Sequence, residues 1–395
     1  MGAENIENPD FLSTQIITYI GNKRALIGTI QEELVRIKKE SGLSKCTMAD
    51  LFSGSGIVAR MMKAHASRLV VNDLEQYSYV INSCYLTNKS DFNHVETEYV
   101  RLKRIIDEKA AAQKIPGLIT RMYAPADENN ITAEDRVFYT RENALLIDTY
   151  RALIDEVVGS PDNSACGDSL CSDGVVSGEP LQKTDMRKFF LAPLITEASV
   201  HTNTSGVFKG FYKDKQGKGC YGGVGKNALS RILGKIELKT PIFSNFECPV
   251  YVLRKDAVAL AHDLEPTDIV YLDPPYNQHP YGSNYCMLNT ILENRITAPI
   301  SKVSGIVSDW NRSVFNKKKT ALASLEEIVA SLRARYVVIS YNSEGFITYD
   351  EMISMLKKYG ELTTREILYN TFRGSRNLSN RNIHVSEYLF TIKKY

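Results

Sequence analysis

CTMADLFSGSGIVARMMKAHASRLVVND, residues 46–73, decides the fold. Cys46 to Phe52 is an apolar run suited to a buried strand, and Ser53-Gly54-Ser55-Gly56 breaks it. Val58, Met61 and Met62 then recur at helical spacing, and Arg68 to Asp73 reads as a second strand. Two neighbouring strands joined through a helix run parallel, because the crossover returns the chain to the starting edge. Upstream, Leu26, Ile27, Ile30, Leu34 and Ile37 predict an amphipathic helix over Ala25–Lys39. Downstream, Glu75–Tyr85 predicts the next helix. The alternation resumes past Pro249, with strands at Val250–Leu253, Ile269–Leu272, Val337–Ser340 and Glu387–Ile392 and helices at Asp256–Leu264 and Tyr349–Tyr359. Between the two regular parts lie polar helical stretches at Phe92–Ile115 and Glu134–Val158. A Gly/Ser/Asp-rich stretch follows at Gly159–Gly178, and a Gly/Lys/Tyr-rich one, read as a basic hairpin or loop, at Lys209–Lys226. The expectation is one α/β core divided by an insertion over much of residues 90–245.

Composition narrows the function classes. Lys and Arg number 48 against 46 Asp and Glu, for a net charge of +2 over 395 residues. A near-neutral total leaves nucleic acid open, since a local basic face is what binds phosphate. The seven scattered cysteines form no CxxC pair, and no secretory leader is read; both argue against a disulfide framework and for a reducing cytoplasm. No long apolar run is available to cross a membrane. The six histidines are dispersed without i, i+4 pairs, and no metal is expected. GGVGKN at residues 222–227 imitates a phosphate loop but lacks the first glycine and the final Ser or Thr that such a loop needs.

Three constellations carry chemistry. A glycine turn after a strand lets backbone N–H groups approach a ligand near a helix N-terminus. Asp73, at the end of the next strand, suits a ribose hydroxyl pair; its place before a helix equally suits an N-cap. The third is Asp273-Pro274-Pro275-Tyr276, just past the strand Ile269–Leu272. Proline ends a sheet ladder and stiffens the chain, so an acid, a carbonyl and an aromatic ring are displayed in fixed relation. An aromatic amine such as adenine N6 attacks poorly because its lone pair is delocalised. A carboxylate and a carbonyl that each accept one of its N–H groups draw it towards sp³ geometry, and a ring face holds the extruded base. The plain alternative is a proline-rich strand exit with Tyr276 packed on the core.

In this order these blocks resemble the S-adenosylmethionine-dependent DNA adenine-N6 methyltransferases of the alpha (D12-like) arrangement found in restriction–modification systems. Tyr19-Ile20-Gly21-Asn22-Lys23 resembles the N-terminal cofactor motif, Asp50 to Gly56 the glycine loop, and Asn72-Asp73 the ribose acid. Ile339–Gly345 and Tyr369–Phe390 resemble a later strand motif and the closing hairpin region. The resemblance implies a Rossmann-like, mostly parallel methyltransferase sheet. It implies a discontinuous catalytic domain of residues 1–90 and 246–395, and a target-recognition insertion of residues 91–245. It assigns Tyr19, Lys23, Asp50, Phe52, Gly54, Gly56, Asp73, Asp256 and Asp273 to S-adenosyl-L-methionine. Asp273, Pro274, Pro275 and Tyr276 fall to catalysis, and the acid at the first position of that motif favours adenine. Duplex DNA is the implied substrate, and a nuclease of the same site the implied partner.

For DNA contact the expectation rests on Asn203, Lys209, Tyr212 and Lys213, with Arg373, Arg376 and Arg381 opposite. Each single cation is equally well a solvated surface charge. Two rival readings remain open: an RNA adenine-N6 methyltransferase with the same pocket, and a catalytically silent DNA-binding module.

Overall fold

The computed structural model describes residues 6–159, 174–175, 186–226, 228–370 and 384–395. Among the described residues eight strands form one sheet: β1 Cys46–Asp50, β2 Ala66–Asn72, β3 Gly174–Val175, β4 Val250–Leu253, β5 Thr267–Leu272, β6 Ala334–Asn342, β7 Gly360–Asn370 and β8 His384–Lys394. Their order is β3-β4-β2-β1-β5-β6-β8-β7. The central five pair in parallel, β8 runs antiparallel between β6 and β7, and β3 lies antiparallel on the edge of β4. The sheet is therefore mostly parallel, as the alternating pattern predicts, and Rossmann-like, as the resemblance implies.

Parallel strands covered on both faces need apolar side chains on both. Met48, Leu69, Val71, Ile269 and Val338 pack with the helices Ile27–Ser41 and Ile57–Lys63. Ala49, Val70, Val270, Leu272 and Val337 pack with Ala257–Asp263, Lys318–Ser331 and Tyr349–Leu356 on the other face. The order reverses at β1, with β2 and β4 to one side and β5 and β6 to the other. The chain leaving β1 and the chain leaving β5 thus open side by side, the usual ligand crevice of an open α/β sheet.

A third body of core joins the helices Gln76–Tyr85, Lys89–Ala112, Arg141–Val157, Lys188–Val200 and Cys286–Glu293. The helix expected from Glu134 begins instead at Arg141, because the Thr140 hydroxyl accepts the Asn143 N–H at 3.1 Å and caps it there. Lys188–Val200 is buried almost all round and carries Pro193 inside, so it has no amphipathic period to read. Most of Gly159–Gly178 lies outside the described residues, as do Arg373, Arg376 and Arg381.

Candidate active site at the end of the parallel strands

Gly54 and Gly56, on the turn after β1, have φ of +50° and +77°. A Cβ on Gly54 would sit 2.8 Å from the Tyr19 ring, and one on Gly56 would sit 2.2 Å from Asn82 Oδ1. Only glycine meets both the backbone angle and the close approach. The turn is pinned from below by Asp73: one carboxylate oxygen accepts the Gly54 N–H at 2.7 Å and the other the Glu75 N–H at 2.9 Å. Asp73 thus faces the glycine turn, and the helix Gln76–Tyr85 has no side-chain cap. Burial pushes the Asp73 carboxyl up, and the two backbone N–H groups offset part of that shift.

Asn72 braces the neighbouring strand exits. Its buried amide donates to the Leu51 carbonyl at 3.2 Å and the Lys255 carbonyl at 3.0 Å, and accepts the Lys255 N–H at 2.9 Å. Asp256 caps its helix through one oxygen, which takes the Val258 and Ala259 N–H groups at 2.9 and 3.1 Å. These exits surround a cavity open to solvent and lined by Tyr19, Phe52, Asp73, Asp256, Asp273 and Pro275 among others. Phe52 meets Phe315 edge-on, with ring centroids 5.3 Å apart, which gives that wall an apolar floor. The Tyr19 ring stacks against both Tyr281 and Tyr285, with centroids 5.0 and 4.8 Å away.

Asp50 ends β1, buried, with its carboxylate taking the Phe52 N–H at 3.3 Å. Burial, with the charges of Asp273 and Asp73 adding to it, holds the Asp50 carboxyl well above the usual range. Asp273 stands at the cavity mouth, its side chain 20% exposed, and pairs with the Lys23 ammonium at 2.9 Å. The same ammonium reaches Glu387 at 2.8 Å. Burial alone would push Lys23 down, yet the two carboxylates outweigh it and hold the group well above an ordinary lysine. Burial is also the largest influence on Asp273. Lys23 pulls its carboxyl down and Glu387 pushes it up, and it stands at about 6. Tyr276 is half-buried against the core, and its carbonyl accepts the Phe346 N–H at 3.0 Å. The ring comes within 3.8 Å of where a Cβ on Gly21 would lie, and Gly21 has φ +73°.

Of the residues expected at the cofactor and at the reacting amine, Tyr19, Phe52, Asp73, Asp256, Asp273 and Pro275 line one crevice, and Lys23 joins them through its ion pair with Asp273. The residues expected at nucleic acid do not form one group. Lys209 and Lys213 are exposed, and the Lys213 ammonium lies 5.1 Å from the Phe211 ring centroid. Asn203 is fully buried. Its amide donates to the Val137 and Cys220 carbonyls at 2.8 and 3.2 Å and accepts the Gly222 N–H at 2.9 Å. Contrary to the expectation from sequence, Asn203 braces this loop and offers no free amide to a base edge. Tyr212 is half-buried, with its ring 3.3 Å from the place of a Cβ on Gly223.

Sequence reasoning missed Glu75, Asn311, Ser313, Phe315 and Asn316 on the cavity wall, and Glu387 behind Lys23. Glu387 had a readable signal. It shares a strand face with Val385 and Leu389, and an acid on an apolar face is costly unless paired. Glu75 directly precedes the helix Gln76–Tyr85, and Asn311, Ser313, Phe315 and Asn316 sit on the segment after Cys286–Glu293, where no periodicity marks them.

Among the described residues no helix is long and apolar enough to cross a membrane. The model of the D12 class N6 adenine-specific DNA methyltransferase family matches residues 19–155 and 184–355. The chain is 29% identical over 380 residues to type II methyltransferase M.CviAII of Paramecium bursaria Chlorella virus 1, covering 95% of this chain and 98% of that one. It is 27% identical over 381 residues to type II methyltransferase M.NlaIII of Neisseria lactamica, covering 96% and 99%. Over 382 residues it is 26% identical to type II methyltransferase M.FokI of Planomicrobium okeanokoites, covering 95% of this chain and 52% of that one.

Proposed function

The chain belongs to the D12 class of N6 adenine-specific DNA methyltransferases, and from that premise we propose that its crevice takes S-adenosylmethionine and serves N6 of an adenine turned out of duplex DNA. The observation that carries this reading is the placing of Asp273 on the wall of the same cavity that Asp73, Asp256 and the chain leaving β1 line. The cavity fits that donor. Its acidic groups suit a sulfonium, an ammonium and a ribose diol, and Leu51, Phe52 and Phe315 suit a purine ring. Tyr19, Lys23, Asp50, Phe52, Gly54, Gly56, Asp73 and Asp256 are the residues we assign to holding it. When bound, the cofactor supplies an electrophilic methyl group.

The protein's own part is to hold and polarise the amine. Asp273 and the Pro274 carbonyl accept its two N–H groups, which localises the nitrogen lone pair and stabilises the positive charge that develops there. Asp273 then takes the proton released from nitrogen and passes it to water through its exposed edge. Pro275 stiffens this exit, and the Tyr276 ring stacks on the base. The helical layer within residues 91–245 would face the target, with Lys209, Lys213, Arg373 and Arg376 on phosphate. The relatives' type II character points to a restriction–modification setting, with a cognate endonuclease reading the same site. A reducing cytoplasm suits the scattered cysteines.

Incubation with methyl-labelled S-adenosylmethionine and equal amounts of duplex DNA, single-stranded DNA and RNA tests the reading. Label is expected in duplex DNA; label confined to RNA would select the RNA enzyme, and no label the silent module. Tyr276→Ala should weaken transfer by the worth of one base–aromatic stack, about 1–3 kcal/mol, or roughly 5- to 150-fold. Tyr276→Phe should keep most of the activity, and a Phe variant as impaired as Ala would assign the work to the hydroxyl.

A further inference from the structure

We propose that Glu387 is a positioning residue for methyl transfer, holding the Lys23 ammonium so that Asp273 keeps a surplus of negative charge for the target amine. The inference rests on the methyltransferase reading and adds a residue to it. One buried ammonium stands between two carboxylates, at 2.9 Å from Asp273 Oδ1 and 2.8 Å from Glu387 Oε1. The trio carries one negative charge more than it can neutralise. Among the described residues Asp273 Oδ2 takes no hydrogen bond, while Glu387 is held on all sides: it is 1% exposed and accepts from the Ser340 hydroxyl at 2.6 Å and the Asn342 amide at 3.2 Å. The better-anchored acid keeps the lysine, and the surplus charge falls on the acid at the cavity mouth. Positive charge develops on the amine nitrogen in the transition state, so an acceptor already aimed there, and not spent on Lys23, stabilises it without reorganisation.

The groups around Asp273 are Lys23 from the N-terminal segment, Glu387 from β8, Asp50 from β1, Tyr271 from β5, and Tyr276 and Tyr281 from the chain beyond β5. Of these, Glu387 pushes the Asp273 carboxyl up, in the same direction as the larger effect of burial, and Lys23 pulls it down against both. Removing the Glu387 charge leaves Lys23 to pair with Asp273 alone. Asp273 then becomes a weaker acceptor that stays ionised to lower pH.

The test is single-turnover methyl transfer by the full chain with saturating S-adenosylmethionine and duplex DNA, between about pH 5 and pH 9. In Glu387→Gln the plateau rate is expected to fall about tenfold or more. The acid limb should move down by about one unit or more, with cofactor affinity unchanged by calorimetry. A lower plateau with the limb unmoved would show a structural role only and overturn the assignment, as would an unchanged profile. Should Glu387→Gln not fold, Ser340→Ala keeps both charges and removes one of the donors that anchor Glu387. Lys23 then shifts towards Asp273, the acid limb is expected to move down by less than in Glu387→Gln, and a rise would overturn the proposal. Absence of transfer by the unaltered chain marks instead a failure of the methyltransferase reading, and takes this assignment with it.

Discussion

Asp273→Ala is expected to lower single-turnover methyl transfer about 100-fold or more, the usual cost of one preorganised acceptor at a reacting centre. The fold should survive. Lys23 loses one of two partners but keeps Glu387 at 2.8 Å, so no buried ammonium is left alone. The removed side chain lies at a cavity wall rather than in packed core, and its carboxyl, pushed up to about 6 by burial, is not a group the native state holds ionised at a profit. A rapid-quench assay checks the transfer rate, and thermal melting with calorimetric cofactor binding checks the fold. A variant that melts with the unaltered chain and still transfers methyl groups at a similar rate would remove Asp273 from the chemistry.

Lys23→Met should have the opposite profile, with a large loss of stability. Asp273 and Glu387 would then face one another in a buried setting without a counter-charge. Breaking a buried pair by removing one partner typically costs about 3–5 kcal/mol. The pH dependence has a definite sign. Carboxyl groups whose native pKa is raised give stability that is fully present below the unfolded pKa and lost as pH rises through the native one. Asp273 already stands at about 6 with Lys23 in place, and loss of the lysine raises it further. The stability deficit should therefore be largest at neutral pH and shrink as pH falls through 6 and below. Denaturant titrations at the two ends of that range check it. A deficit independent of pH would mean that the lost packing of the lysine stem, rather than the facing carboxylates, sets the cost.

The centre of the fold was legible because physics writes it locally. The run from Cys46 to Asp73 holds two buried strands, a glycine turn and a helix in continuous sequence, and β5 with its Asp-Pro-Pro-Tyr exit is equally self-contained. The two stretches become neighbours through the β1–β5 pairing, where Asp50 lies opposite Tyr271. What escaped the sequence depends on long-range contact. Glu387 matters because Lys23, more than 300 positions earlier, arrives beside it. Asn311 and Asn316 line the cavity only because their loop folds back over it, where the Asn316 amide donates to the Asn277 carbonyl at 2.9 Å. Asn203 shows the reverse error. An amide in a Lys- and Gly-rich stretch looks available for base readout, but its partners at Val137 and Gly222 cannot be seen until the chain is folded.

The most direct test of the central claim is to methylate duplex genomic DNA with the purified chain, digest it to nucleosides and identify the modified base, while sequencing maps its positions. N6-methyladenine confined to one short sequence context is expected. N4-methylcytosine or 5-methylcytosine, or N6-methyladenine spread without regard to sequence, would contradict it.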